Sequence, residues 1–166
     1  MNKSNFEKVV EFNKTFGVTL HNSVQNNIFD EDKKLVDLRL SLITEEVDEL
    51  KEAIKNKDMT ETIDALADIL YVVYGAGASF GINLDIAMDL VHESNMSKLC
   101  DTEELAKKTV NWYIEKYNKG ELPYDLPSYR KDDKTNKYIV FNKSTGKILK
   151  SIEYKPVDLK NFSHTI

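Results

Sequence analysis

Acidic side chains interrupt the apolar face of the second predicted helix, and this feature constrains the fold more than any other. Apolar residues recur in that segment at the three- and four-residue spacing of a helix that packs one face against a core. At about 100° per residue, Glu46 and Glu49 fall inside the apolar stripe and Glu45 lies at its edge. Asp48 and Glu52 point elsewhere and are predicted to be surface charges. Carboxylates on an inward face are costly unless a cation compensates them.

A second acidic face follows after a short turn. Asp58 and Glu61 have the spacing of a capping box, which predicts a third helix over about residues 59–74. Asp64 and Asp68 are four residues apart on one face of it, and the opposite face is apolar. Helices joined by a short turn pack antiparallel, so the two acidic faces are expected to meet. A cluster of carboxylates without nitrogen or sulfur donors suits Mg²⁺, with Mn²⁺ as a substitute.

The acids also permit interpretations that need no metal ion. The carboxylates could pair with Arg39, Lys51 or Lys55, or face solvent in a looser bundle. A ferritin-like di-iron site is excluded because no histidine follows a glutamate by three residues. The sequence also contains no EF-hand loop and no phosphate-binding Gly-x-x-x-x-Gly-Lys motif.

The rest of the chain predicts an all-α fold with a small β appendage. Three further helices are indicated by apolar spacing and capping residues, over residues 5–16, 84–98 and about 101–120. The pattern then changes, and residues 138–141 and 147–150 flank a turn closed by glycine, as in a β-hairpin. The prediction is an antiparallel helical bundle of four or five helices, residues 1–120, and a basic tail with a β-hairpin, residues 121–166, packed on it.

Charge and composition narrow the classes of partner. The net charge is −5, with 23 basic and 28 acidic side chains, which argues against binding of nucleic acid. Residues 130–160 carry nine basic and four acidic side chains, a local balance of +5. The single cysteine, Cys100, fits a reducing compartment, and the first residues do not resemble a secretion signal, so a cytoplasmic location is expected. The longest apolar stretch contains Asp68 and three glycines, so no membrane span is predicted.

The helix over residues 84–98 ends with two polar residues on its apolar line. Asn95 and Lys98 continue the stripe that its earlier apolar residues form. An amide and an ammonium group at this place are suited to hold a phosphate or the edge of a nucleobase. The alternative is a helix end that simply emerges into water.

Three runs of this sequence resemble one enzyme family. They are Arg39-x-x-Leu42-Ile-x-Glu45-Glu46-x-x-Glu49-Leu50, Asp64-Ala-Leu-Ala-Asp68-Ile-Leu-Tyr71 and Asn95-Met-Ser-Lys98. The family is the all-α nucleoside triphosphate pyrophosphohydrolases, which include MazG-like enzymes, dimeric dUTPases and phosphoribosyl-ATP pyrophosphohydrolase. The similarity is greatest to the phosphoribosyl-ATP pyrophosphohydrolase-like branch. It covers about residues 5–98, and the segment 145–150 with Lys155 and Pro156 is also similar to that branch.

The resemblance implies a metal site and a reaction. The family's first metal motif falls on Glu46 and Glu49, and the second ends at Asp68. Ala65 stands where the family often has a glutamate, and Asp64 is the natural substitute. The implied reaction is Mg²⁺-dependent hydrolysis of a nucleoside triphosphate between its α- and β-phosphates.

The resemblance also implies roles for the remaining residues and an assembly. Glu45 is the expected base, although Glu46 could exchange roles with it. Asn95 and Lys98 would contact the substrate, and Arg39 would contact phosphate or pair with the acids. Further substrate contacts are expected from the tail, at Lys147 and Lys150. Family members are dimers or tetramers, so a homodimer or homotetramer is expected.

Two alternatives to this function are compatible with the sequence. One retains the fold but changes the substrate to a phosphoribosyl nucleotide or a signalling nucleotide. The other is a catalytically silent helical module that binds a metal ion or a nucleotide, which the alanine at position 65 favours.

Overall fold

The computed structural model describes residues 2–160 and Phe162, and within them the fold is mostly helical. The elements follow the order α1 (Asn5–Phe16), α2 (Ile28–Glu31), α3 (Lys33–Asn56), α4 (Met59–Phe80), α5 (Leu84–Met96), α6 (Glu103–Asn118), β1 (Pro127–Asp132) and β2 (Lys137–Asn142). Helices with a small two-stranded hairpin near the C-terminus confirm the predicted fold class.

The described residues form two compact units. The first unit contains the described residues of Met1–Met88 and Leu159–Ile166, and the second unit is Asp89–Asp158. The division falls within α5, whereas the sequence pattern predicts it after residue 120. The helix α6, which the sequence pattern assigns to the bundle, packs against both strands of the hairpin in the second unit.

The first unit is built on the antiparallel pair α3 and α4, with α1 against α4. The pair is joined by a two-residue turn, in which Lys57 adopts a left-handed conformation with φ 57°. Asp58 then caps α4, because its side chain accepts from the backbone N–H groups of Thr60 and Glu61. At the other end of α3 the cap is Asp32, whose side chain accepts from the N–H of Leu35, and a separate turn of helix, α2, precedes it.

The helix α4 continues six residues beyond the predicted end at Tyr74. Gly75 and Gly77 lie inside it, and at Gly77 glycine permits close packing. A Cβ at Gly77 would lie 2.6 Å from the side chain of Leu84. The helix ends at Gly81, whose φ of 73° is left-handed and favours glycine. The two internal glycines do not end the helix early, and Gly77 lets the side chain of Leu84 approach closely.

The second unit has its own core around α6 and the hairpin. Buried side chains of this core are Cys100, Ala106, Tyr113, Val140 and Leu149. The strands β1 and β2 are antiparallel, with Pro127 opposite Asn142 and Asp132 opposite Lys137.

The predicted pairing of the hairpin needs correction. The regular partner of residues 138–141 is β1, which the sequence pattern does not identify. Residues 147–149 add only a short extension, in which the N–H of Leu149 donates to the carbonyl oxygen of Val140 at 2.9 Å.

Candidate functional site

All four predicted metal ligands lie on the facing helices of the first unit. We call Glu46 and Glu49 of α3 with Asp64 and Asp68 of α4 the acidic groove. Glu46 and Asp68 are half-buried, while Glu49 and Asp64 are exposed. The helical period and the two-residue turn produce this arrangement, because they bring one face of each helix toward the other.

Glu46 is the central group of this cluster. Its Oε2 atom is buried and has no hydrogen-bond partner among the described residues. Burial is the largest cause that raises the pKa of Glu46, followed by the negative charges of Glu49, Asp68, Glu45 and Asp64. The structure therefore places the other four predicted carboxylates within electrostatic reach of Glu46.

No basic side chain compensates these charges within the described part of the chain. Lys51 and Lys55 form ion pairs with Asp48 at 2.8 Å and with Glu52 at 3.1 Å, which leaves them engaged elsewhere. Arg39 forms no ion pair with a carboxylate among the described residues, and burial lowers its pKa. Asp48 and Glu52 are exposed, as predicted. The partly buried Glu46 is therefore the acid of this cluster whose charge is costly without a partner.

A cavity of about 390 Å³ opens at the end of the acidic groove near the turn. Its lining includes Glu49 and Asp64, together with Glu52 and Glu61, which the sequence pattern does not assign to the site. Ala65 is buried at 3% exposure beside them. The three-residue spacing of Glu61 and Asp64 is the signal that identifies Glu61, because it places both on one face of α4.

The donor chemistry of the groove fits Mg²⁺, although the side chains are not gathered around one point. All donors are carboxylate oxygens, and the Oε2 atom of Glu46 lacks a partner. Within residues 2–160 and Phe162, no group of three or more Asp, Glu, His or Cys side chains is close enough to hold a metal ion. Binding of a metal ion would therefore require the carboxylates to rotate toward it.

Asn95 and Lys98 are neighbours in the second unit. The Nζ atom of Lys98 donates to the Oδ1 atom of Asn95 at 2.8 Å. The tail meets the same helix end, because the Oγ atom of Ser94 donates to the carbonyl oxygen of Lys155 at 2.9 Å. The N–H of Lys155 in turn donates to the hydroxyl of Ser97 at 2.9 Å.

The two tail lysines that are predicted to bind substrate contact aromatic rings of the second unit. The Nζ atom of Lys147 donates to the hydroxyl of Tyr124 at 2.8 Å. The Nζ atom of Lys150 lies 4.4 Å from the ring centre of Tyr154. Both lysines are exposed, so these contacts leave their charges accessible.

Two comparisons with known proteins show the family of this chain. The family model described as phosphoribosyl-ATP pyrophosphohydrolase matches residues 9–95, which is more than half of the chain. Among curated proteins, the uncharacterized protein L479 of Acanthamoeba polyphaga mimivirus is 31% identical, in an alignment that covers 96% of this chain and 94% of that protein. The family match spans α3, α4 and nearly all of α5, and so includes the whole acidic groove.

Proposed function

The chain belongs to the phosphoribosyl-ATP pyrophosphohydrolase family, and on that premise we propose that it hydrolyses a nucleoside or deoxynucleoside triphosphate between the α- and β-phosphates. The products would be the monophosphate and pyrophosphate. This family belongs to the MazG-like superfamily, whose general activity is hydrolysis of nucleotide pyrophosphate bonds. The acidic groove is what supports a metal-dependent reaction on a nucleoside triphosphate.

The observation that carries this proposal is the uncompensated charge of the groove. Glu46, Glu49, Asp64 and Asp68 lie on facing helices without an ion-pair partner among the described residues, and an oxygen of Glu46 is buried and unpaired. A cation bound here would compensate the buried oxygen of Glu46 and lower the mutual repulsion of the acids. A triphosphate that arrives with its own magnesium would supply that cation and present a bond to be cleaved.

We propose that Glu46, Glu49, Asp64 and Asp68 hold Mg²⁺ in the working enzyme. The bound ion would neutralise phosphate oxygens and lower the pKa of a coordinated water. Glu45, at the edge of the groove and exposed, is suited to take the proton of the attacking water. The water oxygen forms a bond to the α-phosphorus as the bond to the α–β bridging oxygen breaks, and pyrophosphate leaves with that oxygen.

The substrate contacts proposed outside the groove are Asn95, Lys98, Lys147 and Lys150. The hydrogen bond from Lys98 to Asn95 supports this role for that pair, because it fixes an ammonium group beside an amide. The exposed ammonium groups of Lys147 and Lys150 are suited to attract polyphosphate. Arg39 is a different case, because its side chain is buried and lines a separate cavity of the first unit.

We also propose that the chain assembles as a homodimer or homotetramer. An apolar stripe on α4, Met59, Ile63, Leu66 and Leu70, is 49–69% exposed. By length and composition alone α4 is apolar enough to cross a membrane, and a third of its most apolar window is buried. A second copy of the chain would cover the stripe, and the acidic residues of α4 favour such a partner over lipid.

The test is pyrophosphate release from a panel of nucleotides with Mg²⁺ or EDTA. The panel contains the common NTPs and dNTPs together with phosphoribosyl-ATP, which represents the alternative substrate class. We expect Mg²⁺-dependent pyrophosphate that falls by more than about 100-fold in Glu49→Gln and in Asp68→Asn, since each removes a proposed ligand. Asp48→Asn is the matched control, because it removes an exposed carboxylate of the same helix that is paired with Lys51.

Three results contradict the proposal in different ways. Release of orthophosphate would move the cleavage to another bond. Preferred turnover of phosphoribosyl-ATP would assign the alternative substrate. A folded protein that binds Mg²⁺ without turnover of any nucleotide would establish the silent binding module.

A further inference from the structure

Arg39 and Asn13 are buried polar groups that the acidic groove does not use. Arg39 of α3 is 7% exposed and Asn13 of α1 is 2% exposed. The Nε atom of Arg39 and the Nδ2 atom of Asn13 are both buried without a hydrogen-bond partner among the described residues. Because an unpaired buried donor costs free energy, two of them at one place indicate a missing acceptor.

Both residues line a cavity of about 350 Å³ between α1, α3 and α4. Its remaining walls are mostly apolar, and they include the aromatic side chains of Phe12 and Tyr71, which meet edge to face at 5.6 Å. Gly75 also lines the cavity, next to the guanidinium group of Arg39. We call this cavity the Arg39 pocket. An apolar pocket of this size with a few buried polar groups is typical of a small-molecule site.

The pocket lies on the same side of the helix pair as the acidic groove. Arg39 precedes Glu46 by seven residues, two turns of α3, which is about 10.5 Å along the axis. On α4, Tyr71 follows Asp68 by three residues, just under one turn. A ligand with its phosphates at the groove can therefore extend its other end into the pocket.

We propose that the Arg39 pocket binds the nucleobase of the substrate. The apolar and aromatic walls suit a planar base, and the amide of Asn13 and the guanidinium of Arg39 would donate to acceptors on its edge. A polyphosphate in the pocket is disfavoured, because its charge would face mostly apolar side chains. This inference rests on the proposed function for the identity of the ligand, and it makes Asn13 and Arg39 determinants of base specificity.

The test measures binding of the four uncharged deoxynucleosides by ligand-observed NMR, without metal. We expect saturable binding of at least one of them, weakened about tenfold or more in Arg39→Met and in Asn13→Leu, since each removes a donor. Binding of inorganic tripolyphosphate in the presence of Mg²⁺ should not change. Lys34→Met is the control, because it removes an exposed charge from the same helix.

Gly75→Ala tests the pocket without removing a donor. The added Cβ would lie 3.5 Å from the Nη1 atom of Arg39 and 3.9 Å from Val9, which are ordinary contacts, so the fold should be retained. Alanine also favours the helix over glycine, so the melting temperature should not fall. We expect weaker deoxynucleoside binding in this variant, because the methyl group occupies pocket volume.

The inference and the proposed function fail in distinguishable ways. Pyrophosphate release by a protein that binds no deoxynucleoside, or binds it equally well in all three pocket variants, would overturn the base site alone. Loss of tripolyphosphate binding in Arg39→Met would also overturn it, because Arg39 would then contact phosphate. Deoxynucleoside binding that depends on Asn13 and Arg39, in a protein that hydrolyses nothing, would keep the pocket and refute the hydrolase.

Discussion

Replacing Ile63 by glutamate should dissociate the proposed oligomer. Ile63 lies in the apolar stripe of α4 and is 62% exposed in the single chain. Full burial of an isoleucine contributes roughly 1.5–3 kcal/mol, so covering this exposed part contributes about 1–2 kcal/mol for each copy. A symmetric interface contains the residue twice, so about 2–4 kcal/mol is lost, and a buried carboxylate adds a further cost. The dissociation constant should rise by roughly 30- to 700-fold or more.

Sedimentation velocity over a concentration series measures this effect directly. The wild type should sediment at two or four times the chain mass of 19.1 kDa, and Ile63→Glu should shift to the monomer at the same concentration. Circular dichroism then shows whether the variant remains helical.

The control for this experiment is Ile114→Glu, which changes an isoleucine of α6 that is 41% exposed and lies outside the stripe. It should leave the sedimenting mass unchanged. A wild-type protein that is monomeric at high concentration, or an Ile63→Glu oligomer as stable as the wild type, would refute the assignment of this face to self-association.

Three further predictions concern the stability of the two units. Gly81→Ala should lower the free energy of unfolding in urea by about 3 kcal/mol or more, because its φ is left-handed and the added Cβ would overlap a backbone carbonyl of the 18–27 loop. Tyr113→Phe should lower it by about 1–3 kcal/mol, because the tyrosine hydroxyl donates to the carbonyl oxygen of Lys150 at 3.0 Å and accepts from its N–H at 3.1 Å. Asp125 accepts hydrogen bonds, chiefly from Ser144, and these lower the pKa of its carboxyl group. Its ionised form therefore stabilises the fold above the ordinary aspartate pKa, and this contribution is lost as the pH falls through the lowered pKa of the folded state. Thermal melts of Asp125→Asn should accordingly show a shallower loss of stability below about pH 4 than the wild type.

The helical part of the fold can be predicted because its signals are local. The apolar spacing and the caps at Asp58 and Asn83 lie within a few residues of the elements that they begin. The predicted end of α4 is too early, because Gly75 and Gly77 resemble helix breakers in the sequence alone. At Gly77 the reason for glycine is the close approach of the Leu84 side chain, which comes from a later segment and is not visible in the local sequence pattern.

The sequence pattern does not predict the strand β1, and the reason differs from that for α4. Its sequence, Pro127–Asp132, has three charged residues among six and no long apolar alternation, so nothing local marks it as a strand. It becomes one by pairing with β2 across a turn. The sequence predicts β2 correctly but indicates the later neighbour as its partner, because residues 147–150 have the stronger apolar pattern.

The same distinction applies to the candidate site. The acids of the groove share faces of two consecutive helices, so helical periodicity is enough to bring them together. Asn13 escapes prediction because it comes from α1, and its partner in the Arg39 pocket is 26 positions away in the sequence. One signal is available, since Asn13 follows Phe6, Val9 and Val10 at helical spacing and is therefore a polar residue on an apolar face.

The two-residue turn between α3 and α4 has a consequence for evolution of the chain. If the end of α3 at Asn56 stayed fixed, each residue added to this two-residue turn would change where α4 begins, and Asp64 and Asp68 would no longer be held opposite Glu46 and Glu49. The loop over residues 18–27 carries no groove residue, so its length can vary among related proteins. Relatives that keep the chemistry should therefore keep the length of the turn even where its residues differ. Relatives with one residue more or fewer at this place should have lost the acids as well, because selection no longer holds them.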